Sequence, residues 1–139
     1  MRYWDSSALV PLIVREAETA QRERLQRQDS RIVTWWGSWI EGASALGRLH
    51  REEHLDDEGL ALALRKLHRS AANWLQIRPS QRVRQRAVRL LRIHPLRAAD
   101  ALQLAAALVA CDDDPTTLAF VCSDQRLSDA ATTEGFLVL

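Results

Sequence analysis

Short apolar segments alternate with segments of helical periodicity along the whole chain, and this alternation constrains the fold more than any other feature. Strand-like segments lie at 1–5, 31–34, 74–78, 117–122 and 136–138. The helical segments between them include 80–94, whose predicted buried face is made by Val83, Ala87, Leu90 and Leu91. Strands that alternate with helices form parallel sheets covered on both faces. We therefore expect a three-layer α/β/α fold with a central, mainly parallel sheet.

Length and composition indicate one domain over residues 1–139. Hydrophobic residues make up 47% of the chain and charged residues 27%, as in ordinary soluble domains. No segment approaches the roughly 20 apolar residues of a membrane span, and Asp5 interrupts any secretory leader. Cys111 and Cys122 lie in apolar surroundings without metal-site spacing, so we expect small core residues. These features predict a cytoplasmic protein.

Charge is distributed unevenly along a chain whose net charge is only +1. Seven arginines and no Asp or Glu lie between Arg78 and Arg97. On the helix predicted there, Arg82, Arg86 and Arg89 share one face. That face is either a solvated surface or a track that binds phosphates, and the sequence leaves both open.

Four acids, Asp5, Glu41, Asp100 and Asp124, each lie near the start of a predicted helix. Asp5 and Asp124 follow strands, and loops at the carboxyl ends of parallel strands gather along one edge of the sheet. Taken singly, each acid could instead serve its own helix. Asp5 and Asp124 could be N-caps, residues 38–41 (SWIE) form a formal capping box, and Asp100 could complement a helix dipole.

The surroundings of Asp100 favour a site. The helix that contains it, predicted from Leu96 to Val109, is apolar on nearly every side, so the carboxylate should enter a buried helix at a cost. If the four acids converge, two carboxylates about 5 Å apart repel by roughly 3 kcal/mol at an effective dielectric of 20. A divalent cation relieves this directly, and oxygen-only ligands favour Mg²⁺ or Mn²⁺ over zinc. Such a site suits phosphodiester hydrolysis.

Other motifs carry less weight. The HREEH stretch at 50–54 fits a zinc-protease pattern but lies in a charged, surface-like segment. No glycine-rich phosphate loop is present, which argues against nucleotide binding. Response-regulator receivers need a late lysine, whereas Lys66 is the only lysine here. Trp35, Trp36 and Trp39 are expected to pack mainly in the core, with any exposed ring suited to a partner.

Taken in order, these segments resemble the PIN-domain family, in particular its VapC-type toxins. The resemblance rests on YWDSSALV at 3–10, SWIEGASAL at 38–46, HPLRAADALQLA at 94–105 and FVCSDQRL at 120–127, with Gly135-Phe136 before the last strand. It spans essentially the whole chain, and the third motif is the most specific.

The resemblance implies that Asp5, Glu41, Asp100 and Asp124 hold Mg²⁺ or Mn²⁺ in a metal-dependent ribonuclease. It further implies an RNA substrate and a VapB-like antitoxin as partner, and it allows a homodimer. Candidate substrate contacts are Ser7, Ser123, Arg82, Arg86 and Arg89. Two rival interpretations remain: a catalytically silent PIN-fold module that binds RNA or protein, and a nuclease for DNA.

Overall fold

A computed structural model describes all residues 1–139 and contains one sheet with seven α-helices. The elements are β1 (Arg2–Trp4), α1 (Ser6–Ile13), α2 (Thr19–Gln28), β2 (Ile32–Trp35), α3 (Ser38–Arg51), α4 (Asp57–Ala71), β3 (Leu75–Ile77), α5 (Gln81–Ile93), α6 (Ala98–Ala110), a 3-10 turn (Pro115–Thr117), β4 (Ala119–Val121) and α7 (Gln125–Thr133). The four strands are parallel in the order β3-β2-β1-β4. The predicted α/β/α class is confirmed. No helix combines the length and the apolar character needed to cross a membrane.

Alternate residues of the central strands enter two different cores, as the period of two in a strand requires. The larger core contains Tyr3, Val33 and Phe120. The smaller one contains Trp4, Ile32 and Val121. Tyr3 and Phe120 stack across neighbouring strands with ring centroids 5.2 Å apart. Since both faces of the sheet are covered by helices, β1 and β2 are almost fully buried.

Helix α5 packs on α6 over the larger core. Val83, Ala87 and Leu90 are buried as predicted, but Leu91 is 43% exposed. The reason is geometric: a residue next to Leu90 is turned about 100° around the helix, away from the core.

Helix α6 is buried from Ala101 to Leu108, where four alanines allow close approach to its neighbours. Its first turn differs from the prediction. Ala98 and Ala99 are exposed and Asp100 is half-buried, because α6 starts at the edge of the domain. The carboxylate of Asp100 therefore does not enter a fully buried helix.

The last predicted strand, 136–138, is reduced to a single parallel bridge between Val138 and Phe120. Gly135 turns the chain with a φ of 101°, a left-handed conformation that suits glycine. Leu137 and Leu139 then exchange backbone hydrogen bonds with Phe120. The segment lies along β4, but it is too short to build a ladder.

Helix α2 is rich in charged residues, yet it contains a buried guanidinium. Arg22 is only 4% exposed. It donates to Glu18 at 2.7 Å, the carbonyl of Cys122 at 3.0 Å, the hydroxyl of Ser123 at 2.9 Å and the carbonyl of Leu139 at 3.1 Å. One side chain thus ties α2 to the loop after β4 and to the last residue.

Replacing Arg22 with Ala should destabilise the fold by roughly 3 kcal/mol, because it leaves several buried acceptors unpaired. Urea denaturation would measure the loss. Arg24→Ala, which removes an exposed arginine of the same helix, should stay within about 0.5 kcal/mol of wild type. Equal effects of the two substitutions would contradict the anchoring role of Arg22.

Candidate functional site

All four predicted acids line one open cleft of about 560 Å³ at the carboxyl edge of the sheet. Asp5 follows β1 directly, and Asp124 follows β4 after two residues. Glu41 and Asp100 lie in the first turns of α3 and α6. Parallel strands and the helices that leave them thus bring together side chains far apart in sequence.

Asp5 is the most buried of the four, at 3% exposure. Its Oδ2 accepts hydrogen bonds from the backbone N–H of Ser7 at 2.9 Å and from the Ser7 hydroxyl. Burial raises the pKa of Asp5, the bonds from Ser7 act against this, and the charge of Asp100 adds to it. The neighbouring Cys122 thiol has its pKa raised by burial to about 11, so it stays protonated. Asp5 accepts these hydrogen bonds but forms no ion pair.

The predicted capping box of α3 is not formed. Gly37, not Ser38, is the N-cap, and the Glu41 side chain makes no capping bond. Ser38 is buried inside the first turn, where its hydroxyl lies 2.7 Å from that of Thr34 and accepts from Gln103 at 2.8 Å. Because the Ser38 hydroxyl is bonded inside the core, Glu41 has no capping partner there, and its side chain faces the cleft.

The Glu41 carboxylate is held by side chains of two other helices. Its Oε2 accepts from the Ser6 hydroxyl at 2.7 Å and from the Gln103 amide at 3.1 Å. Burial raises the pKa of Glu41, and the charges of Asp5 and Asp100 raise it further against these two hydrogen bonds. Ionised Glu41 is thus costly in the folded protein.

Asp100 and Asp124 combine a local capping contact with a position on the cleft. Asp100 Oδ2 accepts from the backbone N–H of Arg97 at 3.2 Å. Asp124 is the N-cap of α7, where its Oδ1 accepts from the N–H of Leu127 at 2.8 Å. Both acids therefore accept a capping hydrogen bond at the start of their own helices. This bond occupies one oxygen of each carboxylate and leaves the other without a hydrogen bond from the protein.

In each of the four carboxylates only one oxygen accepts hydrogen bonds from the protein. The occupied oxygens are Asp5 Oδ2, Glu41 Oε2, Asp100 Oδ2 and Asp124 Oδ1. The partner oxygens have no hydrogen bond from the protein. No three His, Cys, Asp or Glu side chains are positioned as a ready metal cage. The cleft thus offers hard oxygen donors without a closed coordination shell.

Gln103 connects the cleft to the core and was not singled out from the sequence. It is 1% exposed, accepts from the Tyr3 hydroxyl at 2.8 Å, and donates to Ser38 and Glu41. Its place three residues after Asp100 puts both side chains on one helix face, which is the signal that could have identified it.

Arg48 is a second residue that the sequence did not reveal. It is the only basic residue among those lining the cleft, which include five acids with Glu16. It lies seven positions after Glu41 on α3, two helical turns along the same face. Arg48 is exposed and makes no direct ion pair, although its charge acts to lower the pKa of Glu16 in the same cleft against the effect of burial.

The candidate substrate contacts are placed differently. Ser7 lines the cleft, where its hydroxyl binds Asp5 and accepts from the N–H of Ser123. Ser123 does not line it, because its own hydroxyl is bonded to Glu18 and Arg22. The Ser123 bond is the main reason why the pKa of Glu18 lies below its ordinary value.

The three arginines of α5 share one face as predicted, but they do not line the cleft. Arg82 pairs with Asp112 at 2.6 Å, Arg86 with Asp113, and Arg89 with Glu134. A phosphate would have to compete with these carboxylates for the three guanidinium groups. RNA binding by the three arginines therefore stays a prediction, and this pairing disfavours it.

Glu41→Gln should stabilise the folded protein at neutral pH in the absence of divalent cations. Because the pKa of Glu41 is raised on folding, the folded state binds the extra proton, and wild-type stability rises as the pH falls through that raised value. The advantage of the variant should therefore shrink on acidification and vanish below the ordinary Glu value of 4.5. Urea denaturation with a chelator over this pH range measures it.

The matched control is Glu52→Gln, an exposed carboxylate at the other end of α3. It should give no comparable gain at neutral pH. A Glu41→Gln advantage that stays constant down to acidic pH would contradict the electrostatic explanation.

The sequence matches no protein-family model and no curated protein sequence. The fold does match solved structures. One is a chain of a toxin–antitoxin complex from Klebsiella pneumoniae, with a TM-score of 0.63 and 16% sequence identity over 91% of this chain and 88% of that chain. At this identity the likeness concerns the fold, so the cleft lies in a domain whose architecture is shared with a component of a toxin–antitoxin complex.

Proposed function

We propose that the protein is a metal-dependent endoribonuclease and the toxin component of a toxin–antitoxin pair. The observation that carries the proposal is the cleft in which Asp5, Glu41, Asp100 and Asp124 meet, each with one oxygen fixed by the protein and one without such a bond. Burying Asp5 and Glu41 without a cation has a cost that a bound divalent ion would remove.

The donor chemistry fits Mg²⁺ or Mn²⁺. Both ions prefer oxygen ligands, and the cleft supplies carboxylates and serine hydroxyls without His or thiolate ligands. Asp5, Glu41, Asp100 and Asp124 would hold the ion. When bound, it would supply Lewis-acid activation of water and of the phosphodiester.

Other residues of the cleft orient the carboxylates and supply a positive charge for a phosphodiester. Ser6 and Gln103 fix the orientation of Glu41, and Ser7 fixes Asp5. Arg48 supplies the one permanent positive charge of the cleft, with the planar donors that suit a phosphate oxygen. We assign to Arg48 the binding of the phosphate to be cleaved, next to the four carboxylates.

The toxin assignment has two supports. The domain shares its fold with a chain of a toxin–antitoxin complex, and four segments in order resemble VapC-type toxins. By that resemblance a VapB-like antitoxin is the partner that would block the cleft.

Asp100→Asn should lower RNA cleavage roughly a hundredfold or more, because a ligand to the catalytic ion is lost. The variant should remain folded, since Asn can still accept the Arg97 N–H bond. In thermal denaturation, Mn²⁺ should stabilise the wild type more than the variant.

Asp129→Asn is the control, because Asp129 is an exposed acid of α7 that does not line the cleft. It should cleave and bind Mn²⁺ like wild type. Equal Mn²⁺ stabilisation of all three proteins would remove Asp100 from the ligand set. Cleavage of DNA but not RNA by the wild type would overturn the proposed substrate.

Arg48→Gln should lower kcat/KM for RNA roughly tenfold to a hundredfold, the range expected for one lost charge-assisted hydrogen bond. Arg48→Lys should recover part of the loss by restoring the charge. Arg51→Gln removes another exposed arginine of α3 that lies off the cleft, and should cleave normally. If Arg48→Gln and Arg51→Gln have equal kinetics, Arg48 does not bind the phosphate.

A further inference from the structure

An aromatic groove lies beside the carboxylate cleft, between α3 and α4. It is lined by Trp36, Trp39, Ile40, Leu64, His68 and Ala72. Trp36 and Trp39 are 45% and 40% exposed, whereas the neighbouring Trp35 is buried in the core. His68 meets Trp39 edge to face at 72°, so no aromatic ring of the protein stacks in parallel on this indole.

The charged residues that line this tryptophan groove are all basic. Arg65 and Arg69 lie one helical turn apart on α4, are exposed, and have no ion pair. The lining contains no Asp or Glu. The arginines of α5, by contrast, are neutralised by carboxylates. Of these two basic surfaces, the one on α4 has its charge free for an anionic ligand.

The groove adjoins the cleft at one residue. Ile40 lines both, and Trp39, Ile40 and Glu41 are consecutive in the first turn of α3. Trp39 and Glu41 lie on different faces of the helix with Ile40 between them, so a linear ligand that places one unit beside Glu41 reaches Trp39 by passing over Ile40.

We propose that the tryptophan groove binds single-stranded RNA next to the cleavage site, with bases stacked on Trp39 and Trp36 and phosphates bound by Arg65 and Arg69. The inference rests on the proposed function and names the strand form and the path of its substrate. Flat exposed rings combined with unpaired cations are what single-stranded nucleic acid requires, since each nucleotide brings one stacking face and one negative charge. Duplex RNA hides its base faces and would not fit.

The test is RNA binding in an Asp100→Asn background, which keeps the RNA intact. Fluorescence anisotropy with a short labelled single-stranded RNA would compare this parent with added Trp39→Leu and Trp39→Tyr substitutions. Leu keeps an apolar side chain without a flat ring, so affinity should fall roughly tenfold, as for one lost base stack. Tyr should recover much of it. An RNA of the same length with abasic sugars should bind more weakly and be insensitive to Trp39→Leu.

The charge arm uses Arg65→Gln with Arg69→Gln in the same background. Two lost phosphate contacts should lower the slope of log affinity against log salt by about 1.4. The matched control is Arg24→Gln with Arg84→Gln, which removes two exposed, unpaired arginines that line neither the groove nor the cleft. It changes net charge equally and should leave the slope close to that of the parent.

Unchanged RNA affinity in Trp39→Leu, with a thermal transition like that of the parent, would overturn the proposal and assign the groove to a protein partner instead. A salt slope equal to that of the arginine control would do the same. These outcomes are separate from the proposed function, because binding is measured without cleavage. A wild type that cleaves RNA with no dependence on the groove would refute only the groove. A wild type that binds RNA through the groove but cleaves none with Mg²⁺ or Mn²⁺ would refute only the ribonuclease.

Discussion

The carboxylates of Asp5 and Glu41 are held away from water at one edge of the sheet, and neither has an ion-pair partner. Burial penalises their charged forms, and the charge of Asp100 adds repulsion. Serine hydroxyls and one amide offset part of this cost by donating hydrogen bonds. The fold therefore keeps a concentration of negative charge that hydrogen bonds alone do not neutralise, and this is the physical basis of the proposal that a divalent cation binds in the cleft.

The Gln103 amide links the position of the Glu41 carboxylate in the cleft to side chains of the core. It joins the Tyr3 hydroxyl on β1, the Ser38 hydroxyl on α3 and the Glu41 carboxylate through both ends of one side chain. Tyr3 is itself stacked on Phe120, so the position of Glu41 is linked to the packing of the sheet. A buried polar group of this kind stabilises the fold most when every donor and acceptor has a hydrogen-bond partner, as here. Substitutions in the core near Tyr3 would therefore shift the position of the Glu41 carboxylate.

Two basic surfaces of the protein have opposite electrostatic states. On α5, arginines predicted as an RNA track are paired with Asp112, Asp113 and Glu134. Burial alone would raise the pKa of Glu134, but hydrogen bonds from Arg89 and His94 hold it below its ordinary value. These pairs connect α5 to the segment after α6 and to the end of α7, and give the arginines a structural role. On α4, Arg65 and Arg69 remain unpaired beside exposed tryptophans, so this surface, unlike that of α5, keeps its positive charge available.

The sequence by itself determined the order and type of the main elements and the fold class, because strand and helix periods depend on local spacing. It also indicated that acids at the starts of four helices belong to one edge, since parallel topology fixes where loops gather. It did not reveal the burial of Arg22 and Gln103, because periodicity locates apolar faces and does not show which polar side chains are enclosed. Ser38 satisfied a capping pattern and yet was drawn into the core. Only the tertiary structure decided which arginines are free. The partners of Arg82, Arg86 and Arg89 lie 30, 27 and 45 positions away, and pairing over such separations depends on how α5 packs against α6 and the end of α7.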